Sequence, residues 1–218
     1  MENERYVAAI EISSSKIIAA VGRTDGVQLD IIASEQIEGP ETVRFGIIQN
    51  AEEAATRILS IMDRLETRPE ISPRKINRVF VSIGGRSMRS LTRETNLPLP
   101  DEASEVTADD LNALTAQARE SAIDASLKII DVQPRSWRVG NVTTQNPKGM
   151  IGPSVGATFD LIVCRPVLEQ NLVRTISGKT GLEIASMVVG PLAAGHMLVT
   201  PEEKRLGCML RSEEHTSE

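Results

Sequence analysis

Two apolar, largely β-branched runs separated by a short polar turn open the chain, and few folds accommodate them. The stretch reads Tyr6-Val-Ala-Ala-Ile-Glu11-Ile12-Ser13-Ser14-Ser15-Lys16-Ile-Ile-Ala-Ala-Val-Gly22. Apolar runs bounded by turn residues predict buried strands, and a short polar connection between them predicts a hairpin. The turn itself holds an acid, three serines and a lysine. Backbone N–H groups and small hydroxyls can surround anionic oxygens, and a carboxylate beside them can hold a hydrated Mg²⁺. Taken alone, the stretch reads first as an ordinary hairpin with a polar turn and second as a phosphate and metal site.

The chain has 218 residues, enough for one large or two small domains with a real core. Its 40% hydrophobic and 25% charged residues are those of a soluble globular protein. A net charge of -6 opposes non-specific binding to nucleic acid, and aromatics at 2% leave few stacking platforms for single strands. Cys164 and Cys208 each sit in an apolar run, the setting of free buried thiols in a reducing compartment. With no CxxC pair and only His196 and His215, a metal cluster lacks ligands. The acidic start, Met1-Glu-Asn-Glu-Arg5, has no apolar signal segment. The uncharged stretch at 184–201 is too polar and broken for a membrane span, so the expected location is cytoplasmic.

Beyond the hairpin, Val27-Gln-Leu-Asp-Ile-Ile-Ala-Ser34 predicts a third strand after an Asp25-Gly26 turn. Asn50, with Glu53 three residues on, predicts the cap of a helix whose apolar positions are Ala54, Ile58, Ile61, Met62 and Leu65. Val79-Phe-Val-Ser-Ile83 predicts a buried strand stopped by Gly84-Gly85. The middle third changes character. It reads as a strand over 87–100, a helix capped by Thr107 with Asp110, and a strand over 127–132 that Trp137-Arg-Val139 extends past Pro134. A loop over 143–149 and a strand over 157–163 follow. The chain then returns to α/β order. A helix over 166–177 carries Val167, Leu168, Leu172, Val173 and Ile176 on one face and ends at Gly178. Glu183-Ile-Ala-Ser-Met-Val-Val189 is a strand, and a helix opens at Gly190-Pro191. Leu206-Gly-Cys-Met-Leu210 begins one more strand. The pattern is α/β with a small α+β insertion.

With this order in place, the chain resembles FtsA, a family of actin-like bacterial cell-division proteins, from about Tyr6 to Leu210. The stretches that carry the resemblance are Ala9-Ile-Glu-Ile-Ser-Ser-Ser-Lys16, Gly46-Ile-Ile-Gln-Asn50, Val79-Phe-Val-Ser-Ile-Gly-Gly85, Asn146-Pro-Lys-Gly149 and Leu161-Ile-Val-Cys164. Gly181-Leu-Glu-Ile, Val189-Gly-Pro-Leu-Ala-Ala194 and Leu198-Val-Thr-Pro-Glu-Glu-Lys-Arg-Leu-Gly207 complete it. The resemblance implies an actin-like (ribonuclease-H-like) subdomain formed by residues 1–85 and 165–210. It also implies an inserted α+β interaction subdomain at 86–164, and that the second actin-like domain is absent. In FtsA a second phosphate loop, Asp-Ile-Gly-Gly-Gly-Thr, follows the Leu-Gly segment. Here polarity changes abruptly to Arg211-Ser-Glu-Glu-His-Thr-Ser-Glu218, an octapeptide identical to the translation of a common sequencing-adapter stretch. Residues 211–218 are therefore expected to be an artefact.

For the site, the resemblance implies that Glu11 lies near Mg²⁺ and acts through water. Ser13, Ser14 and Ser15 would supply donors to the phosphates of ATP, with Lys16 a charge near them; Lys16 equally reads as a solvated strand residue. Ser13 stands where the family usually carries glycine. Implied partners are FtsZ, through the absent domain, and FtsA copies and divisome proteins, through the insertion; the membrane is reached through an absent C-terminal helix. The full-length protein is expected to be at most a weak ATPase, and this chain alone to bind ATP weakly or not at all. The alternatives are a PilM-type pilus-assembly adaptor, a sugar kinase, or an interaction module that binds no nucleotide. The kinase is disfavoured because Asp131 and Asp160 fall in the insertion. Arg86, Arg89 and Arg93 read as a solvated strand face or, more sharply, as a patch for an acidic neighbour.

Overall fold

The structure, a computed structural model, describes residues 5–38, 42–44 and 46–210. The chain divides into two compact units, one of residues 1–86 with 167–218 and the other of residues 87–166.

The first unit is built on a five-stranded sheet in the order β11-β6-β1-β2-β3. β1 (Arg5–Ile12), β2 (Lys16–Thr24) and β3 (Leu29–Glu38) form an antiparallel meander. β6 (Arg78–Ile83) and β11 (Glu183–Val189) run parallel to β1. Ile32 is an extra residue opposite the Val21/Gly22 step, a bulge that bends the edge strand. Alternation along the strands turns Ala8, Ile10, Ile17, Ala19, Val21, Val79, Val81 and Ile83 to one face, where all are buried. α1 (Ala51–Glu66) packs against β2 and β3 with Ala54, Ala55, Ile58, Ile61, Met62 and Leu65 buried. Its N-cap is Asn50, whose side chain accepts the Glu53 N–H at 3.1 Å. Between β3 and α1, β4 (Val43–Arg44) and β5 (Ile47–Ile48) make a small hairpin.

The opposite face of this sheet is open at Phe80 and Val188, which are 40% and 38% exposed. β6 is thus buried on alternate residues only, although its sequence reads as apolar throughout. α3 (Pro166–Thr175) buries Leu168 and Leu172 but leaves Val167 and Val173 exposed, so its apolar face is narrower than the sequence suggests. The helix does not stop at Gly178. It widens into a π-helical segment, Ile176–Thr180, and ends at Gly181, whose φ of 76° suits glycine. α4 (Gly190–Leu198) follows β11, and α5 (Pro201–Leu206), which sequence reasoning left unassigned, is opened by a Thr200/Glu203 capping box.

Two expectations for the C-terminal segment are corrected. Leu206 ends α5, and Gly207, at φ 84°, leads into irregular, exposed chain instead of a strand. Five apolar-leaning residues with no neighbouring strand to pair them do not form one. Cys208 is accordingly exposed, whereas Cys164 is buried as expected. Residues 211–218 lie outside the described residues.

The second unit is an antiparallel sheet in the order β7-β10-β8-β9 with one helix packed on it. β7 is Arg89–Pro98, β8 Lys128–Val139, β9 Val142–Thr144 and β10 Ser154–Cys164. β9 takes the start of the stretch read as a loop. The helix, α2 (Ala108–Arg119), is held by a full Thr107/Asp110 capping box and buries Leu114 and Ala118. Phe159, Leu161, Val163, Val155 and Val132 meet it in the core, where Trp137 stands edge-on to Phe159 at 5.6 Å. Pro134 lies inside β8, but β9 pairs only with residues 137–139, so the missing N–H interrupts no ladder on that side.

Candidate functional site

β1, β6 and β11 run in one direction, so their carboxyl ends, Ile12, Ile83 and Val189, lie along one edge of the sheet. In open α/β sheets that edge is where the ladder gives way to loops and where ligands meet backbone N–H groups. Three features converge on it. The β1–β2 turn carries Ser13, Ser14 and Ser15; Gly84-Gly85 follows β6; and Gly190 opens α4.

The β1–β2 turn is closed by Ser13 and Lys16. The Ser13 N–H donates to the Lys16 carbonyl at 2.9 Å, which leaves Ser14 and Ser15 as the loop. The Ser13 hydroxyl donates to the same carbonyl at 3.0 Å and accepts the Lys16 N–H at 3.2 Å. Ser13 Oγ also lies 3.3 Å from Ser15 Oγ. Among the described residues, the Ser14 hydroxyl and the Ser14 and Ser15 N–H groups have no hydrogen-bond partner.

Register sets the sidedness of these groups. Glu11 faces Ile18 across the hairpin, and both lie on the open face, opposite Ile10 and Ile17. Ser13 and Lys16, one step further, share that face. Glu11 and Lys16 are exposed, and neither forms an ion pair among the described residues. The structure thus brings Glu11, Ser13, Ser14, Ser15 and Lys16 together at one sheet corner, as consecutive residues of a hairpin must be. Their donor set, two free amides, one free hydroxyl and one ammonium beside a carboxylate, fits the oxygens of a phosphate with an associated cation.

Sequence reasoning did not find the neighbours of this turn. Ser82, on the open face of β6, lies under Gly190, where an added Cβ would stand 2.7 Å from Ser82 Oγ. Gly46, at φ 78°, would place a Cβ 2.2 Å from the Gly84 carbonyl oxygen. Gly46 lets backbone approach backbone beside the sheet edge, and Gly190 leaves room for the Ser82 side chain. The only sequence signal for them is glycine itself, which marks turns as often as close approaches. α4 starts there without a side-chain cap, Val189 being its N-cap residue.

Asp131 and Asp160 of the second unit are structurally engaged. Asp160 receives two bonds from Arg135, at 2.8 and 3.0 Å, and Ser90 donates to it at 3.3 Å. Asp131 accepts from the Val132 N–H and from Gln133, each at 2.8 Å. Arg93 departs from the solvated strand face expected of it: it is half-buried, and its guanidinium donates to the Thr92 and Ala122 carbonyls. Among the described residues no group of His, Cys, Asp and Glu could hold a metal ion, and no helix is long and apolar enough to cross a membrane.

A mixed five-stranded sheet interrupted by a separate strand-helix-strand-strand-strand unit defines the class: an actin-like α/β unit with a small inserted domain. Residues 85–163 match the family model described as the SHS2 domain inserted in FtsA. The chain is similar to FtsA proteins across nearly its whole length. It is 25% identical over 215 residues to the cell division protein FtsA of Pseudomonas aeruginosa, covering 96% of this chain and 49% of that one. It is 26% identical to FtsA of Porphyromonas gingivalis (92% and 42% covered) and 22% identical to FtsA of Escherichia coli K12 (94% and 48%). The chain therefore spans about half the length of the relatives it matches. A solved chain of the PilM-PilN type IV pilus biogenesis complex shares the fold, with a TM-score of 0.56 at 17% identity, covering 92% of this chain and 51% of that one.

Proposed function

We propose that this chain is the part of an FtsA-like cell-division protein that carries the first phosphate loop and the interaction domain of an ATP-binding, actin-like adaptor. The observation that supports this reading most is the coincidence of two things. The match to FtsA runs through nearly the whole chain, and the Ser13–Lys16 turn it includes lies at the sheet edge with its Ser14 and Ser15 donors unpartnered. In this reading the Ser14 hydroxyl and the two free amides hold phosphate oxygens, Lys16 offsets their charge, and Glu11 holds Mg²⁺ through water. ATP would supply the anionic triphosphate; this chain's residues bind and orient it, and none is assigned as a base for hydrolysis. The resemblance implies hydroxyl donors from all three serines, and the Ser13 bonds argue for a narrower set.

The inserted unit is proposed as the surface for FtsA self-association and for divisome proteins. In this reading, FtsZ binding and attachment to the inner face of the membrane fall to parts of the full-length protein that this chain does not span. The site's other half, the facing nucleotide domain, is in the same position, so this chain alone is expected to bind Mg-ATP more weakly than micromolar. A chain of the relatives' full length should bind it. There, Ser14→Ala with Lys16→Ala should weaken binding at least about tenfold, the worth of one or two charge-assisted hydrogen bonds. Unchanged affinity in calorimetry would show that the turn is not a phosphate loop.

A PilM-type pilus-assembly adaptor is the second reading, supported by the shared fold. A two-hybrid assay with the inserted unit separates the two. Self-association or capture of divisome proteins supports the FtsA-like role, and capture of pilus-assembly proteins supports the other.

A further inference from the structure

A serine hydroxyl has one proton to give and two lone pairs to receive with. At Ser13 all three are used within the turn. The proton goes to the Lys16 carbonyl at 3.0 Å, and one lone pair takes the Lys16 N–H at 3.2 Å. The 3.3 Å contact with Ser15 Oγ is then made with the Ser15 proton, because the Ser13 proton is already committed. Ser15 keeps lone pairs but no hydroxyl proton for a third group. Of the three hydroxyls only that of Ser14 can donate outward, alongside the Ser14 and Ser15 amides.

We propose that Ser13 is a positioning residue: its side chain locks the turn and thereby aims the Ser14 hydroxyl and the Ser14 and Ser15 amides at a phosphate ligand. This rests on the phosphate-loop reading above and narrows it. It also accounts for serine at this position. A glycine makes such a turn by adopting conformations other residues avoid, at the expense of a larger conformational entropy to lose. Ser13 reaches the closed turn by bonding both polar groups of Lys16. Glu11, exposed on the same face, opposes a bare anion, so the ligand class that fits is a phosphate carrying a divalent cation.

The test uses NMR and has two arms, the first on this chain and the second on a chain of the relatives' full length. In the ligand-free protein, amide hydrogen exchange at Lys16 should be about fivefold faster in Ser13→Ala, the worth of one lost hydrogen bond. Ser13→Thr, which keeps the hydroxyl, should exchange as the parent does, and so should Ser14→Ala. Under titration of the full-length chain with Mg-ATP, the Ser14 and Ser15 amide resonances should shift. Affinity should fall about fivefold in Ser13→Ala and Ser14→Ala and be retained in Ser13→Thr.

Parent-like exchange in Ser13→Ala would overturn the lock. Faster exchange with unaltered Mg-ATP affinity would make Ser13 merely structural and overturn the positioning role. A normal lock in a full-length parent whose turn amides never respond to Mg-ATP would overturn the phosphate-loop reading, and the positioning role with it.

Discussion

A methyl group at Gly46 would stand 2.2 Å from the Gly84 carbonyl oxygen and 2.7 Å from Gly85 Cα, at a backbone φ of 78°. Both atoms belong to backbone, so neither can swing aside. Gly46→Ala is expected to lower the stability of the chain by more than about 2 kcal/mol in urea unfolding, combining overlap with left-handed strain. Gly26→Ala is the control. Gly26 has a φ of 99° but nothing within 4 Å of an added Cβ, so only strain of about 1–2 kcal/mol should appear. If the two substitutions cost the same, the close approach of the Gly46 and Gly84 loops is wrong. Ser13 makes its tight turn with no glycine, through a hydroxyl whose three bonding positions are filled by neighbours. Its residue type could be read from the sequence, but the direction of its proton could not, because that depends on the geometry of Lys16 across the turn.

Among the elements, those with local signals were the most legible. α1 begins where Asn50 and Glu53 indicated, and every apolar position read from its spacing is buried. Asn50→Ala is expected to cost about 1 kcal/mol, the usual worth of a cap, measured by thermal unfolding. α2 starts where Thr107 and Asp110 indicated. The hydroxyl of Thr107, and then its backbone N–H, hold the Asp110 carboxyl below its ordinary 3.8. A carboxyl depressed on folding stabilises above its unfolded value and loses that contribution as pH falls through the lower folded one. The start of α2 should therefore fray only below pH 3.8. In carboxyl NMR the Asp110 midpoint should move up toward 3.8 in Thr107→Ala, and an unmoved midpoint would contradict the capping box. What depended on distant partners was harder to read. Val167 and Val173 share the spacing of Leu168 and Leu172 yet stay exposed, because helical period fixes a stripe and packing fixes its width. The run at 206–210 has strand-like residues without a neighbour to pair with, and it does not form a strand.

For the molecule as a whole, contiguity decided what could be read. Glu11, Ser13, Ser14, Ser15 and Lys16 lie in one hairpin, so six positions of sequence bring them together. Ser82, Gly84 and Gly190 join them only through parallel pairing of β1, β6 and β11, which links residues far apart in the chain. No local pattern encodes that register. The turn that began as an ordinary hairpin gains its meaning from this edge. The most direct measurement is a backbone-amide shift map of a chain of the relatives' full length titrated with Mg-ATP. Shifts that concentrate at Ser14 and Ser15 and saturate with added Mg-ATP are expected. A map with no response at those amides, or one centred elsewhere, would contradict the account.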